Sequence, residues 1–116
     1  MNNSKDPDEI SAPATFRAFI SRFPELRDAH ETIGRVTDVA GPLDAKTRHL
    51  VKMGISLGAG LESAFRSHVR RAHENGASRE EIEQAVLLAM NTVGLPRTVM
   101  GWQWAGEQLE RDEKGS

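Results

Sequence analysis

Between Gly58-Ala-Gly60 and Asn75-Gly76, the residues Leu61, Ala64, Phe65, His68, Val69 and Ala72 recur at i, i+3, i+4, i+7, i+8 and i+11. This is the spacing of one face of an α-helix. No segment alternates with period two over a useful length, and β-branched residues are not clustered between turns, so nothing in the chain favours a sheet. The pattern predicts an all-α protein, a compact bundle of about six helices.

The flanking segments carry their own start and stop signals. Phe16, Phe19, Ile20 and Phe23 mark a first helix, and Pro24 suits the first turn of a second whose stripe is Leu26, Ala29, Ile33, Val36 and Ala40. Gly41-Pro42 interrupts that helix, and Asp44 stands where an N-cap is needed for a third, carrying Leu50, Val51, Met53, Gly54 and Leu57. Asn75-Gly76 supplies a left-handed stop for the fourth. Ser78-Arg-Glu-Glu81 is a capping box that opens the fifth, with the stripe Ile82, Ala85, Val86, Ala89, Met90 and Val93. After Gly94-Leu-Pro96 a last helix sets Leu95, Val99, Trp102, Gly106 and Leu109 on one side and Met100 with Trp104 on another. Two apolar sides exceed what one core can take, which points to contact between subunits. The polar, aperiodic residues 1–13 read as a flexible N-terminal arm, 14–110 as a single helical domain and 111–116 as a frayed C-terminus.

A chain of 116 residues has the size of one domain. Its net charge of −2 leaves no basic footprint, so nucleic acid and anionic membrane are not expected partners. No run of eighteen apolar residues is present and the N-terminus lacks the hydrophobic stretch of a signal peptide, so a cytoplasmic location is expected. Cysteine is absent. That excludes disulfides, a thiolate nucleophile and thiolate metal ligands.

His68 is the leading candidate for chemistry: an imidazole titrating near neutrality can give or take a proton, and the helical pattern turns this one inward beside Leu61, Ala64 and Phe65. A core histidine bonded to a backbone carbonyl fits the same pattern. His49, next to Arg48 on the third helix, meets His68 if helices three and four pack as an antiparallel pair, and is otherwise a boundary residue. His30 and His73 fall on charged faces. No closely spaced pair of ligands such as His-x-x-x-His exists, so no metal is expected. Arg48 or Arg97 could hold a carboxylate by a bidentate contact, although a surface salt bridge is the commoner use of such an arginine. Glu62 begins the His68 helix, where an acidic group favours the N-terminus, and Trp102 and Trp104 suit a pocket wall or packing. There is no glycine-rich phosphate loop, no Gly-x-Ser-x-Gly elbow and no convincing carboxylate pair.

Pro42-Leu-Asp44, Lys46-Thr-Arg48, His68-Val-Arg-Arg-Ala72, Gly76-Ala-Ser-Arg-Glu-Glu-Ile82 and Gly94-Leu-Pro96 stand in the order and spacing of one known family. From Gly41 to about Leu109 the chain resembles the carboxymuconolactone decarboxylase family, within the alkylhydroperoxidase D-like superfamily. The resemblance implies an all-α subunit assembled into homotrimers or homohexamers, with sites near subunit contacts. In the peroxidase branch a glutamate and a Cys-x-x-Cys pair precede the histidine matched by His68. Here those positions are His49, Leu61 and Ala64, which rules out disulfide cycling. The decarboxylase branch commonly has a glutamate at the position of Ala64. For that branch the resemblance implies cofactor-independent decarboxylation of a small carboxylate or lactone, with His68 handling the proton and Arg48 or Arg97 contacting the carboxylate; the residue reading adds His49 as a second catalytic candidate and Glu62 and Trp102 as candidate substrate contacts. The competing expectation is a non-catalytic oligomeric binding protein on the same fold.

Overall fold

The computed structural model describes residues 14–115, so the expected arm at 1–13 and the last residue, Ser116, lie outside the described residues. The described residues are helical throughout, without a strand, and divide after Pro42 into two compact units. The first unit holds α1 (Ala14–Arg22) and α2 (Pro24–Asp38). Pro24 opens α2 as expected, because its fixed φ and missing N–H cost nothing in a first turn. Phe19 and Phe23 bring their rings to 5.2 Å, and the Arg22 guanidinium lies 4.8 Å from the Phe23 ring. The stripe on α2 forms as a helix face, yet no residue of α2 is buried, and Leu26, Ile33 and Val36 remain exposed.

The second unit contains α3 (Ala45–Ala59), α4 (Glu62–Glu74), α5 (Arg79–Leu87), the single turn α6 (Met90–Val93) and α7 (Leu95–Lys114). Its helix ends follow the sequence signals. Asp44 accepts the Thr47 N–H at 2.8 Å and starts α3. Gly60, at φ 74, ends α3, and Gly76, at φ 99, follows α4; both backbones occupy a region that side chains disfavour. Ser78 and Glu81 form the full capping box of α5, with the Ser78 hydroxyl accepting the Glu81 N–H at 3.0 Å and the Glu81 carboxylate accepting the Ser78 N–H at 2.9 Å.

The Ser78 N–H, together with Lys46 Nζ at 3.0 Å, holds the Glu81 carboxyl below its ordinary value. A carboxyl whose folded pKa is depressed contributes stability that is complete above the unfolded value of 4.5 and disappears as pH falls through the lower folded value. Glu81→Gln is therefore expected to flatten the fall of the thermal midpoint below that pH, which a series of melts in acid would show.

The core of this unit is Met53 and Leu57 from α3, Phe65, Val69 and Ala72 from α4, Ala77, Ile82 and Val86 around α5, and Ala105 and Leu109 from α7. Three expectations need correction. On α4, Leu61 is 54% exposed because it is the N-cap residue, and Ala64 and His68 sit at the half-buried edge of the stripe. On α7 the inward face is Thr98, Gly101, Ala105, Gln108 and Leu109, whereas Leu95, Val99 and Trp102 face outward. Small residues win that face because α7 passes very close to α3. A Cβ at Gly101 would stand 2.7 Å from Leu57 Cδ1, and Leu57 is itself fully buried. Gly101→Ala is accordingly expected to destabilise by about 1–3 kcal/mol in urea unfolding, the range for forcing extra volume into a packed core. Finally, α5 does not run to Val93. The Ala89 N–H bonds to Val86 O at 3.1 Å, three residues back, and this tightened turn separates α5 from α6.

The C-terminal stretch assigned above to fraying continues α7 as far as Lys114. Gln108 Nε2 donates to Asp112 Oδ1 at 2.8 Å one turn on, and Arg111 and Lys114 suit the negative end of the helix dipole.

Candidate functional site

The residues that bring the two central histidines together are mostly structural. The Asp44 cap fixes the first turn of α3, and His49 follows one turn later. The Thr47 side chain, then the Thr47 N–H and the neighbouring charges of Lys46 and Arg48, hold the Asp44 carboxyl below its ordinary value. Lys46 reaches across to Glu81 and ties this turn to the start of α5. Gly60 and Leu61 then reverse the chain, with the Leu61 N–H donating to Ser56 O at 2.9 Å, and α4 returns along α3. Phe65, Val69 and Ala72 lock α4 into the core, and His68 projects from the edge of the same face, half-buried like His49.

His49 Nδ1 and His68 Nδ1 stand 3.1 Å apart. The ring centroids are 5.3 Å apart and the planes differ by 28°. The excess of the centroid separation over the nitrogen separation is close to two ring radii, so the nitrogens face each other along the line joining the rings. This is the geometry of an N–H···N bond between nearly coplanar imidazoles, not of rings lying face over face. One Nδ1 donates and the other accepts, so the contact holds a single proton. Two imidazolium ions would set two N–H groups head to head, so the bond requires at least one unprotonated Nδ1. Lone pairs that oppose each other in this way do not converge on a cation, and among the described residues no three His, Asp or Glu side chains could hold a metal ion.

The other expected site residues make contacts of their own. Arg48 adjoins His49 in sequence and donates from Nη1 to Leu43 O at 2.6 Å. Arg97 donates from Nη1 to Leu57 O at 3.0 Å and Gly58 O at 3.2 Å, satisfying carbonyls at the C-terminus of α3. Glu62 is joined to Arg66 at 2.9 Å, and Arg66 reaches on to Glu107 at 2.7 Å. Trp102 donates its indole N–H to Glu83 Oε2 at 3.3 Å, where α7 passes α5. His73 donates Nδ1–H to Ala77 O at 3.1 Å, a bond that closes the turn after α4.

One feature was missed in the sequence. A groove of about 510 Å³ runs between α3 and the α5–α6 segment, lined chiefly by Leu50, Val51, Gly54, Ala85, Leu88 and Ala89, and neither His49 nor His68 lines it. Its sequence signal was the pairing of small residues, Gly54 and Gly58 on α3 with Ala85 and Ala89 opposite.

This arrangement has known counterparts. The sequence pattern of the carboxymuconolactone decarboxylase family matches residues 31–107. The chain is 32% identical over 92 residues to a 4-carboxymuconolactone decarboxylase of Acinetobacter baylyi, an alignment covering 79% of this chain, and it spans only 62% of that relative's length. The crystal structure of an apo carboxymuconolactone decarboxylase family protein from Legionella pneumophila shares the fold, with a TM-score of 0.73 over 84% of this chain and 86% of that one at 23% identity. With residues 31–107 inside the family pattern, this protein belongs to the carboxymuconolactone decarboxylase family.

Proposed function

We propose that this protein is a cofactor-independent acid/base enzyme that decarboxylates a small carboxylate or lactone, with His68 as the proton-handling group. The observation that carries the reading is the Nδ1 contact of His49 and His68, which sets two imidazoles edge to edge at a half-buried place. Loss of carbon dioxide leaves an electron pair on the substrate carbon, and an imidazole Nε2–H placed there converts it to a C–H bond. Arg48, adjacent to His49, is the proposed contact for a substrate carboxylate. Arg97 is already used in holding the end of α3. The substrate class is supported by the name of the Acinetobacter relative.

Exposed Val51 and Ile55 on α3 and Leu95 and Val99 on α7 support assembly into a homotrimer or homohexamer. No helix among the described residues is long and apolar enough to cross a membrane, and a cytoplasmic location is proposed on the sequence reading above. Thiol peroxidase chemistry is excluded by the absence of cysteine.

The groove between α3 and α5–α6 favours a second reading, a protein that binds an apolar ligand without turning it over. A ¹⁵N NMR titration with 4-carboxymuconolactone separates the two. Shifts in His49 and His68 with His30 and His73 unmoved support the enzyme; shifts confined to Leu50, Val51 and Ala85 support the binding protein.

A further inference from the structure

We infer that the groove between α3 and the α5–α6 segment is the docking site for α2 of a second copy of this chain, lying antiparallel to α3. The inference stands apart from the chemistry proposed for His68 and begins with two surfaces that each lack a cover. The first is α2. Leu26, Ala29, Ile33 and Val36 repeat at i, i+3, i+7 and i+10, the anchor spacing of a helix that lies in a groove. No residue of α2 is buried, and Ile33 at the centre of the stripe is 62% exposed. A helix of this length draws most of its stability from packing its apolar face, so the stripe is a surface made to be covered.

The second surface is the groove. Along α3 it extends from Thr47 to Gly58, about 16 Å of helix, and the stripe from Leu26 to Val36 extends about 15 Å. Gly54, Gly58, Ala85 and Ala89 keep its walls low, which leaves room for the larger side chains of an incoming helix to enter between them. Val51 and Leu88, both exposed, stand ready to close over that helix from either side.

Charge fixes the direction. Glu25 lies in the first turn of α2, beside Leu26. One end of the groove carries the Glu81 carboxylate. At the other end Arg97 donates from Nη1 to Gly58 O at 3.2 Å, and a guanidinium has further N–H groups to offer a carboxylate. Antiparallel docking brings Glu25 to Arg97, whereas parallel docking would set Glu25 against Glu81, like against like. The occupant is a second copy because both surfaces stand open within one chain. In a two-fold pair each copy gives its α2 and receives the other's. One stripe in one groove is a small contact, and reciprocity doubles it toward the roughly 1,200–2,000 Å² of a stable interface.

The test uses the full chain, whose lack of cysteine leaves no background for placed thiols. Leu26→Cys and Gly58→Cys chains, refolded together and treated with a short bis-maleimide, are expected to yield a product joining one chain of each kind. Absence of that mixed product would overturn the docking, and joining of Leu26→Cys to Thr47→Cys chains in its place would overturn the antiparallel direction. Ile33→Asp is expected to weaken self-association at least about 10-fold in sedimentation, the effect of losing one central anchor. Its circular dichroism should match wild type, because α2 supplies nothing to the core. Glu31→Lys, on the opposite face of α2, is expected to associate as wild type does. The dye 1-anilinonaphthalene-8-sulfonate should bind Ile33→Asp more than wild type as the groove is uncovered. A monomeric wild type, unchanged association of Ile33→Asp, or equal dye binding by the two proteins would overturn the inference and leave the groove to a small apolar ligand.

Discussion

His68→Ala is expected to lower turnover of 4-carboxymuconolactone by about 10²–10⁴-fold, the range for removing a positioned general acid or base, while leaving the fold in place. The fold should survive because the α4 anchors are Phe65, Val69 and Ala72, all fully buried, whereas His68 is half-buried at the edge of their face. What the variant loses is the N–H···N bond to His49 at 3.1 Å and the proton held in it. Circular dichroism and size-exclusion profiles matching wild type, measured beside the rate, separate lost chemistry from lost structure. A variant that keeps the wild-type rate would remove His68 from the reaction.

The largest effect on stability is expected from Phe65→Ala, about 3–5 kcal/mol in urea unfolding, the range for emptying a buried aromatic site. Phe65 is fully buried, packs among Leu57, Val69 and Ile82 in the core cluster, and meets the Trp104 ring at a centroid distance of 5.9 Å and a tilt of 54°. Removing the ring leaves a cavity between α4 and α7 and withdraws the contact that orients Trp104. Because Phe65 lies three residues before His68 on the same helix, the loss also loosens the seat of the histidine pair. Trp104 fluorescence should report the transition, and a cost near that of a surface substitution would contradict the placement of Phe65 at the centre.

Much of this was legible in the sequence where local chemistry decides the outcome. The Asp44 cap, the Ser78–Glu81 box, the Gly60 and Gly76 stops and Pro24 at a helix start each depend on residues only a few positions apart, and each formed. The approach of His49 to His68 was conditional on α3 and α4 pairing antiparallel, and the Gly60-Leu61 reversal provides it. The inward face of α7 was not legible. Hydrophobicity pointed to Leu95, Val99 and Trp102, but the choice was made by how closely α7 approaches Leu57, which admits Gly101 and nothing larger. A distance between elements far apart in sequence leaves no mark in the periodicity of either. Arg97 and Glu62 illustrate the same limit. As charged residues beside a presumed site they suggested substrate contacts, yet one satisfies the last carbonyls of α3 and the other pairs with Arg66. The groove lined by Gly54 and Ala85 escaped notice because small residues on facing helices signal space only when their partners are known.

The central claim, that His68 supplies the proton for a decarboxylation, is tested most directly by incubating the purified full chain with 4-carboxymuconolactone and measuring carbon dioxide released against lactone consumed. The account predicts one carbon dioxide per lactone, with one solvent deuteron appearing at carbon in heavy water. Saturable binding of the lactone with no carbon dioxide released would contradict it and leave a binding protein built on the same helices.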